Sequence, residues 1–269
     1  MANPLDLDAY FKRIHFRAPT PPTLATLSGL LASHIRRIPF ENLDVLLGRP
    51  IRLELEALER KLVHERRGGY CFEHATLFAA VLEQLGFRPV AHSARVVLIT
   101  PRPAAPRTHM FLTVPVDEGT FLVDPGFGGH APRAPIPFLD GAEVTAHGET
   151  HRLARGGGEW TLKIKTGQDF ADLWMSTAEP ENPIDFELGN HWVSTHPSSA
   201  FVNRLMMRAF TDDGRVSVMN RDVTIEHHGE LRRSQLADRH ALRKLLIDDF
   251  GLDLPEVDRL RVPMLPDWE

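Results

Sequence analysis

RRGGYCFEH, residues 66–74, contains Cys71, the single cysteine of this 269-residue chain. Two glycines at its centre permit a sharp turn and close backbone packing, and apolar residues then recur at helical spacing over residues 77–85, up to Gly86. Cys71 is therefore expected in the first turn of a helix, where unpaired amides and the helix dipole favour a thiolate. The placement suits a nucleophile, although a lone cysteine is equally consistent with a small buried hydrophobe.

Composition and charge are those of an ordinary globular chain. The 31 basic and 36 acidic residues give a formal charge of −5 with the signs interspersed, so neither nucleic acid nor an anionic membrane is expected as a partner. One cysteine cannot form an internal disulfide, and no apolar run approaches the roughly 20 residues of a membrane helix. Residues 1–16 lack the apolar core of a signal peptide, and a cytoplasmic location is expected.

Helical patterns dominate the first third of the chain, and strand patterns follow. Apolar residues recur at helical spacing over residues 5–16, 23–37, 54–65 and 71–85. From Phe87 the period shifts towards two, which predicts strands at 90–99, 109–116, 120–124, 160–165 and 170–174. The Pro- and Gly-rich turns between them are typical of an antiparallel sheet, which we expect to curl into a small barrel.

The last part of the chain mixes both types. Residues 201–210 form an apolar, Met-rich segment, and strands are predicted near 215–219 and 223–228. A helix is predicted from Ser234 to about Phe250, with Gly251 just past its end. The sequence therefore predicts an α+β protein of three units, with boundaries near residues 86 and 200.

A cysteine nucleophile needs a base to take its proton and a third group to orient that base. His109 begins one predicted strand, and Asp124 ends the next. Both are about equally far from the turn near Glu118, so a hairpin would bring them side by side. Taken singly, Asp124 is more typical of a turn-forming Asp-Pro-Gly and His109 of a buried core histidine; their meeting at one end of a hairpin is what favours a shared role.

Five short runs stand out over roughly positions 39 to 201. They are Pro39-Phe40-Glu41-Asn42, RGGYCFE at 67–73, Thr108-His109-Met110, Val123-Asp124-Pro125-Gly126-Phe127-Gly128 and Ser194-Thr195-His196-Pro197-Ser198-Ser199. Together, with Cys, His and Asp in that order, they resemble the bacterial arylamine N-acetyltransferase family. The resemblance implies a helical bundle over residues 1–86, an antiparallel β-barrel over 87–200 and an α/β lid over 201–269. The chain departs from the family pattern at Ala75 and Pro125.

The resemblance also implies a two-step acyl transfer. Cys71 would attack the thioester of acetyl-CoA, CoA would leave, and an arylamine or arylhydrazine would take the acetyl group. His109 would move the proton, Asp124 would orient His109, and the Cys71 amide would stabilise the oxyanion. Acetyl-CoA is thus the implied acyl-donor co-substrate, and no metal is implied.

Further site residues follow from the same resemblance. Gly128 and Gly129 match positions where the CoA pyrophosphate or pantetheine arm would approach backbone amides. Positions of the acceptor pocket, where rings stack on an aryl amine, are matched by Phe40, Tyr70, Thr108, Phe127 and Phe201. Ordinary turns and core packing are the alternative interpretations. Glu41 and Arg67 are expected to pair and brace the loop that carries Cys71.

Three other functions stay open at this point. A cysteine hydrolase or amidase would use the same triad with water as acceptor, and an amide synthase would replace acetyl-CoA with a bulkier thioester. A non-catalytic scaffold would keep the triad and bind a partner. His147 and His151, four residues apart in a stretch rich in Gly and Thr, do not predict a zinc site, because no third ligand is evident.

Overall fold

The computed structural model describes residues 4–17, 19–211, 214–265 and 268. Helices α1 to α8 lie at Leu7–Ile14, Leu24–Arg37, Leu43–Leu46, Leu55–Leu58, Cys71–Gln84, Pro183–Thr195, Ala200–Asn203 and Arg239–Phe250. α4 continues as a π-helix over Glu59–His64. None of the helices in these ranges combines the length and the apolar character needed to cross a membrane.

Strands β1 to β13 belong to two sheets. They lie at Phe40–Glu41, Val90–Val96, Arg107–Val116, Gly119–Val123, Ile136–Pro137, Glu143–Ala146, Glu149–Gly156, Glu159–Thr166, Asp169–Ser176, Met206–Phe210, Gly214–Met219, Asp222–His227 and Glu230–Gln235. The predicted α+β class is confirmed, and the predicted strands are present with ends shifted by a few residues.

The N-terminal helices form where their caps and apolar faces predict them. Asp6 accepts a hydrogen bond from the Ala9 N–H at 2.9 Å, and Thr23 accepts from the Thr26 N–H at 3.3 Å, so each side chain satisfies an amide at a helix start. The buried faces of α1, α2 and α5 pack into one core that includes Tyr10, Leu27, Leu31, Phe78 and Leu82.

The larger sheet is the predicted barrel. Its order is β5-β4-β3-β2-β9-β8-β7-β6, every neighbouring pair is antiparallel, and the edge strands β5 and β6 lie in contact, so the sheet is nearly closed. β3 and β4 form the predicted hairpin, with Val116 opposite Gly119 and Leu112 opposite Val123. This pairing brings the start of β3 beside the end of β4.

The smaller sheet joins the two ends of the chain. Its order is β1-β10-β11-β12-β13, and β1 is the two-residue strand Phe40–Glu41 from the N-terminal part. α8 packs on this sheet through Leu242, Leu246 and Phe250. One strand of this sheet, β1, comes from residues before 86, so the sheet includes chain from both sides of the predicted boundaries. The division into three units near residues 86 and 200 stays a prediction.

Three segments differ from the expected secondary structure. Ser234 lies in β13, and α8 begins only at Arg239, after Asp238, whose Oδ1 accepts from the Ala241 N–H at 2.7 Å. Residues 147–151, whose Gly and Thr favour a loop, instead belong to the β6–β7 hairpin over residues 143–156, with positive φ at both His147 and Gly148 in its two-residue turn. α6 was not anticipated.

Candidate active site

Cys71 is the first residue of α5 and is only 3 % exposed. Its Sγ lies 3.5 Å from the Thr108 carbonyl oxygen, to which the protonated thiol donates, and this contact sets the sulfur against the barrel. The Tyr70 N–H donates to Oε2 of Glu73 at 3.0 Å, so a side chain satisfies an amide at the helix start. The predicted position of the cysteine is confirmed. We call residues 66–70, which lead into α5, the nucleophile loop.

Five charged side chains brace the nucleophile loop from one side. Arg67 donates to Oε1 of Glu41 at 2.8 Å and to Oδ1 of Asp44 at 3.3 Å. Lys61 lies 2.8 Å from Oδ2 of Asp44 and 2.7 Å from Oε1 of Glu73. Burial opposes ionisation of Asp44, but Lys61 and Arg67 outweigh it and lower the pKa of this carboxyl to about 2. The expected pair of Glu41 with Arg67 is confirmed as part of a larger cluster.

A buried hydrogen-bond chain reaches the nucleophile loop from the other side. The Tyr10 hydroxyl lies 2.8 Å from Nδ1 of His34, whose Nε2 lies 2.9 Å from Nδ1 of His74. Nε2 of His74 lies 3.3 Å from the Pro39 carbonyl oxygen and 3.2 Å from that of Gly69. Because carbonyl oxygens only accept, His74 donates to them, His34 donates to His74, and Tyr10 donates to His34. Burial lowers the pKa of both imidazoles, that of His74 to about 4, which keeps them neutral as this arrangement requires.

Asp124 lies directly after β4 and is fully buried. Its Oδ2 accepts hydrogen bonds from Nε2 of His109 at 2.8 Å and from Nε1 of Trp174 at 3.0 Å. Its Oδ1 accepts from the Gly126 N–H at 3.3 Å. Donors on both oxygens fix the orientation of the carboxylate, and the predicted meeting of His109 with Asp124 is confirmed.

The surroundings of His109 keep its imidazole protonated. Burial favours the neutral ring, but the charge and hydrogen bond of Asp124 and the interaction with Cys71 outweigh it and raise the pKa of His109 to about 10. Since Asp124 occupies Nε2, Nδ1 is the ring nitrogen left for Cys71. His109 is thus hydrogen-bonded to Asp124 and lines the same cavity as Cys71, whose interaction with the imidazole favours the protonated ring.

The turn after Asp124 packs directly against the nucleophile. A Cβ placed on Gly126 would lie 2.6 Å from Cα and 3.0 Å from the carbonyl oxygen of Cys71. Both distances are shorter than any ordinary contact, so a glycine is required here. This contact joins the barrel to the start of α5.

A cavity of about 520 Å³ lies beside the Cys71 sulfur and contacts His109. Most of its lining is apolar, which suits an aryl ring. Its wall includes these residues predicted to bind substrate or CoA: Phe40, Thr108, Phe127, Phe201 and Gly129. Phe127 also meets the His109 ring edge to face, with centroids 4.9 Å apart.

Tyr70 and Gly128, also predicted to contact substrate or CoA, lie behind this wall. The ring centroid of Tyr70 is 5.3 Å from that of Phe201, and its hydroxyl hydrogen-bonds to the Asn190 side chain. Gly128 adopts φ +64°, and a Cβ there would lie 3.0 Å from the Phe40 ring. Each residue therefore supports a ring of the wall, while its predicted contact with a ligand stays a prediction.

Two site residues were missed by the sequence reasoning. Trp174 ends a predicted strand, but nothing in its neighbours indicates the hydrogen bond to Asp124. Arg208 lines the cavity and is the only charged residue of β10. A lone charge in an apolar strand is the signal that could have found Arg208.

Comparisons with known proteins agree on one family. A family model described as N-acetyltransferase matches residues 23–259. The arylamine N-acetyltransferase of Mycobacterium tuberculosis is 40% identical over 258 residues, which cover 94% of this chain and 91% of the relative. The arylamine N-acetyltransferase / N-hydroxyarylamine O-acetyltransferase of Salmonella typhimurium is 37% identical over 254 residues, covering 93% and 90%.

Solved structures give the same result. The M. tuberculosis arylamine N-acetyltransferase structure superposes with a TM-score of 0.88 at 40% identity, covering 94% of this chain and 95% of that one. The Mycobacterium marinum arylamine N-acetyltransferase in complex with CoA gives 0.90 at 37% identity, covering 96% and 98%. The chain belongs to the arylamine N-acetyltransferase family and is an acetyltransferase enzyme.

Proposed function

We propose that the chain transfers the acetyl group of acetyl-CoA to arylamines or arylhydrazines in two steps, through an acetyl group carried on Cys71. The observation that carries this proposal is the placement of Cys71 and of the hydrogen-bonded pair His109 and Asp124 at one aryl-sized cavity, which Cys71 and His109 both line. The CoA complex of the M. marinum relative supports acetyl-CoA as the donor.

The first step loads the enzyme. The Cys71 sulfur attacks the thioester carbon, the carbon–sulfur bond to CoA breaks, and the CoA thiolate leaves with the proton held by His109. A proton on His109 at neutral pH, favoured by its pKa of about 10, is the form that this step needs. One thioester replaces another, so the acetyl group is stored without a large change in free energy.

The second step transfers the acetyl group. The amine nitrogen attacks the acetyl carbon, His109 takes a proton from nitrogen, and the Cys71 thiolate leaves. Asp124 orients His109 through Nε2 and stabilises the imidazolium, with Trp174 and Gly126 holding the carboxylate in place. Proton transfers in the two steps balance, so the enzyme returns to its starting state.

Each step forms an oxyanion that needs hydrogen-bond donors. The Cys71 backbone N–H, at the first position of α5, is our candidate because the first amides of a helix have no partner within it. Phe40, Phe127 and Phe201 would stack on the aryl ring of the acceptor. Thr108 and Gly129 would contact the acyl donor or acceptor from the same wall.

Mass spectrometry of the intact protein tests this mechanism. Brief exposure to acetyl-CoA should add one acetyl group, located on the peptide that contains Cys71, and an added arylamine should remove it. Cys71→Ser should lose turnover while its melting curve stays close to the wild type. Turnover in Cys71→Ala would contradict an acetyl group carried on Cys71. Continued release of CoA without the amine, beyond the one equivalent released on loading, would contradict acetyl transfer and favour the hydrolase.

A further inference from the structure

Arg208 places a positive charge in the wall of the active-site cavity. It lies in β10 directly opposite Phe40 of β1, so the two side chains project from the same face of the sheet. Phe40 in turn packs near Phe201, with ring centroids 6.0 Å apart. Any aryl group held between these rings would therefore lie beside the Arg208 guanidinium.

The charge on Arg208 is not balanced by its neighbours. Arg215 hydrogen-bonds to Oε1 of Glu149 and lies 2.6 Å from Oε2 of Glu226, so both nearby carboxylates pair with another arginine, and Oε2 of Glu149 is left buried without a hydrogen-bond partner in the part of the chain that the structure describes. Arg133 is a third arginine of this group, and its Nη2 donates to a backbone oxygen at 3.1 Å. Three arginines thus face two glutamates. Within the described ranges, the side chain of Arg208 forms no hydrogen bond or ion pair, while its backbone belongs to the β-ladder.

Arg208 is nevertheless withdrawn from solvent. Burial, then the charge of Arg215, lowers the pKa of Arg208 to about 10, which still leaves it charged at neutral pH. The nearest ring is that of Phe210, with 5.9 Å between the guanidinium carbon and the centroid, at the outer limit of a cation–π contact. Arg208 is half-buried, and Glu149 and Glu226 offset only part of the cost of burying its charge, so a ligand anion that pairs with the guanidinium would lower that cost.

Gly129 gives the guanidinium its place at the cavity surface. A Cβ on Gly129 would lie 2.7 Å from Nη2 of Arg208, so a side chain there would displace it. Among the described residues that line the cavity, Arg208 is the only arginine or lysine. Asp222, the carboxylate of the lining, accepts a hydrogen bond from Gln235 at 2.9 Å.

We propose that Arg208 is an anion-binding subsite for a carboxylate carried by the aryl acceptor. A guanidinium matches a carboxylate with two parallel hydrogen bonds. The aromatic residues beside it favour the acceptor as the source of the anion, because the phosphates of CoA are separated from its reacting sulfur by the long pantetheine arm. This inference rests on the proposed function and assigns it a preferred substrate class, aromatic amines with an acidic substituent.

Two acceptors of the same shape test the subsite. 4-Aminobenzoate is anionic, whereas 4-aminobenzamide is neutral, and kcat/KM is measured for both at saturating acetyl-CoA. We expect the wild type to favour the benzoate by about 10- to 100-fold, the range of a charge-assisted hydrogen bond. Arg208→Gln should bring this ratio close to one, and Arg208→Lys should restore part of it. A wild-type ratio near one would overturn the proposal.

A matched control removes the same charge elsewhere in the sheet. Arg232 lies in β13 and is exposed, so Arg232→Gln should leave the ratio unchanged. If Arg208 instead binds a phosphate of CoA, Arg208→Gln will raise the KM for acetyl-CoA and weaken both acceptors equally, and this result would refute an acceptor subsite.

Benzoate binding separates this proposal from the proposed function. Benzoate has no amine, so its affinity, measured by calorimetry, does not depend on acetyl transfer. We expect Arg208→Gln to weaken benzoate binding at least 10-fold, with a melting temperature no lower than that of the wild type, because an unbalanced charge is removed. Equal affinity in the two proteins would overturn the subsite, whereas failure of the wild type to acetylate either amine would contradict only the proposed function.

Discussion

Gly126→Ala should damage catalysis far more than stability. The added Cβ would lie 2.6 Å from the Cys71 Cα and 3.2 Å from the His74 Cβ, where ordinary contacts are 3.4–4 Å. The closest atoms belong to the backbone of α5, so no side-chain rotation relieves the overlap. The turn has to move by about 1 Å, and its amide holds Oδ1 of Asp124, so the carboxylate moves with it.

A displacement of this size has a measurable cost. A reacting group misplaced by 1 Å loses on the order of 10²-fold in rate, and overpacking of this kind costs about 1–3 kcal/mol of unfolding free energy. We therefore expect kcat/KM for arylamine acetylation to fall about 100-fold, while urea unfolding still reports a folded protein.

Gly156→Ala is the control for Gly126→Ala. Gly156 ends β7, and a Cβ there would meet no atom within 4 Å. The kcat/KM of Gly156→Ala should equal that of the wild type. The unfolding free energy of this variant should change by less than about 0.5 kcal/mol. Full activity in Gly126→Ala would refute the reasoning, because it would mean that the barrel and α5 are not held at a fixed distance.

Other contacts of the site give three more expectations. Asp124→Asn removes the charge that supports the imidazolium, so NMR titration should show the pKa of His109 falling from about 10, with kcat/KM reduced at least about 10²-fold; an unchanged titration would contradict the assignment. Tyr10→Phe leaves Nδ1 of His34 buried without a hydrogen-bond partner, which should cost about 1–3 kcal/mol in urea unfolding, and no loss would contradict a contribution of this hydrogen bond to stability. Asp44 has a pKa of about 2 when folded, below its unfolded value of about 3.9. Its stabilising contribution is present above pH about 4 and is lost as the pH falls towards 2, so the stability gap between wild type and Asp44→Asn should close over that range; a constant gap would contradict it.

The placement of Cys71, His109 and Asp124 was predictable because local signals and simple geometry suffice for it. Glycines and an apolar period place Cys71 at a helix start, and equal distance from one turn places His109 beside Asp124. Both inferences use short stretches of chain. Neither depends on how the rest of the barrel closes.

Trp174 could not be assigned its role in the same way. Its contact with Asp124 joins residues 50 positions apart and depends on the order β4-β3-β2-β9 in the barrel. β1 is only two residues long, so its pairing with β10 leaves no periodic pattern in the sequence. Contacts of this kind are set by tertiary packing, which overrides local preference.

α6 escaped prediction for a different reason. Its start has good signals, with Pro183 at the first turn and Asp185 accepting from the Asn182 N–H at 2.9 Å. However, Ile184 and Leu188 are 58% and 67% exposed, so apolar residues occur on its solvent face and blur the period. β13 was not predicted because its residues are all exposed, so the sequence has no alternation of apolar and polar residues there.

The site forms only where separate parts of the fold meet. Cys71 belongs to a helix whose leading loop is held by the charged cluster and, through Pro39 and Gly69, by the neutral imidazole chain from the N-terminal helices. His109 and Asp124 belong to the barrel and keep their geometry through contacts within it. The two halves meet at Gly126 and at the hydrogen bond from the thiol to Thr108. The reactivity that we propose for the sulfur would therefore be a property of this junction, and neither half would carry it alone.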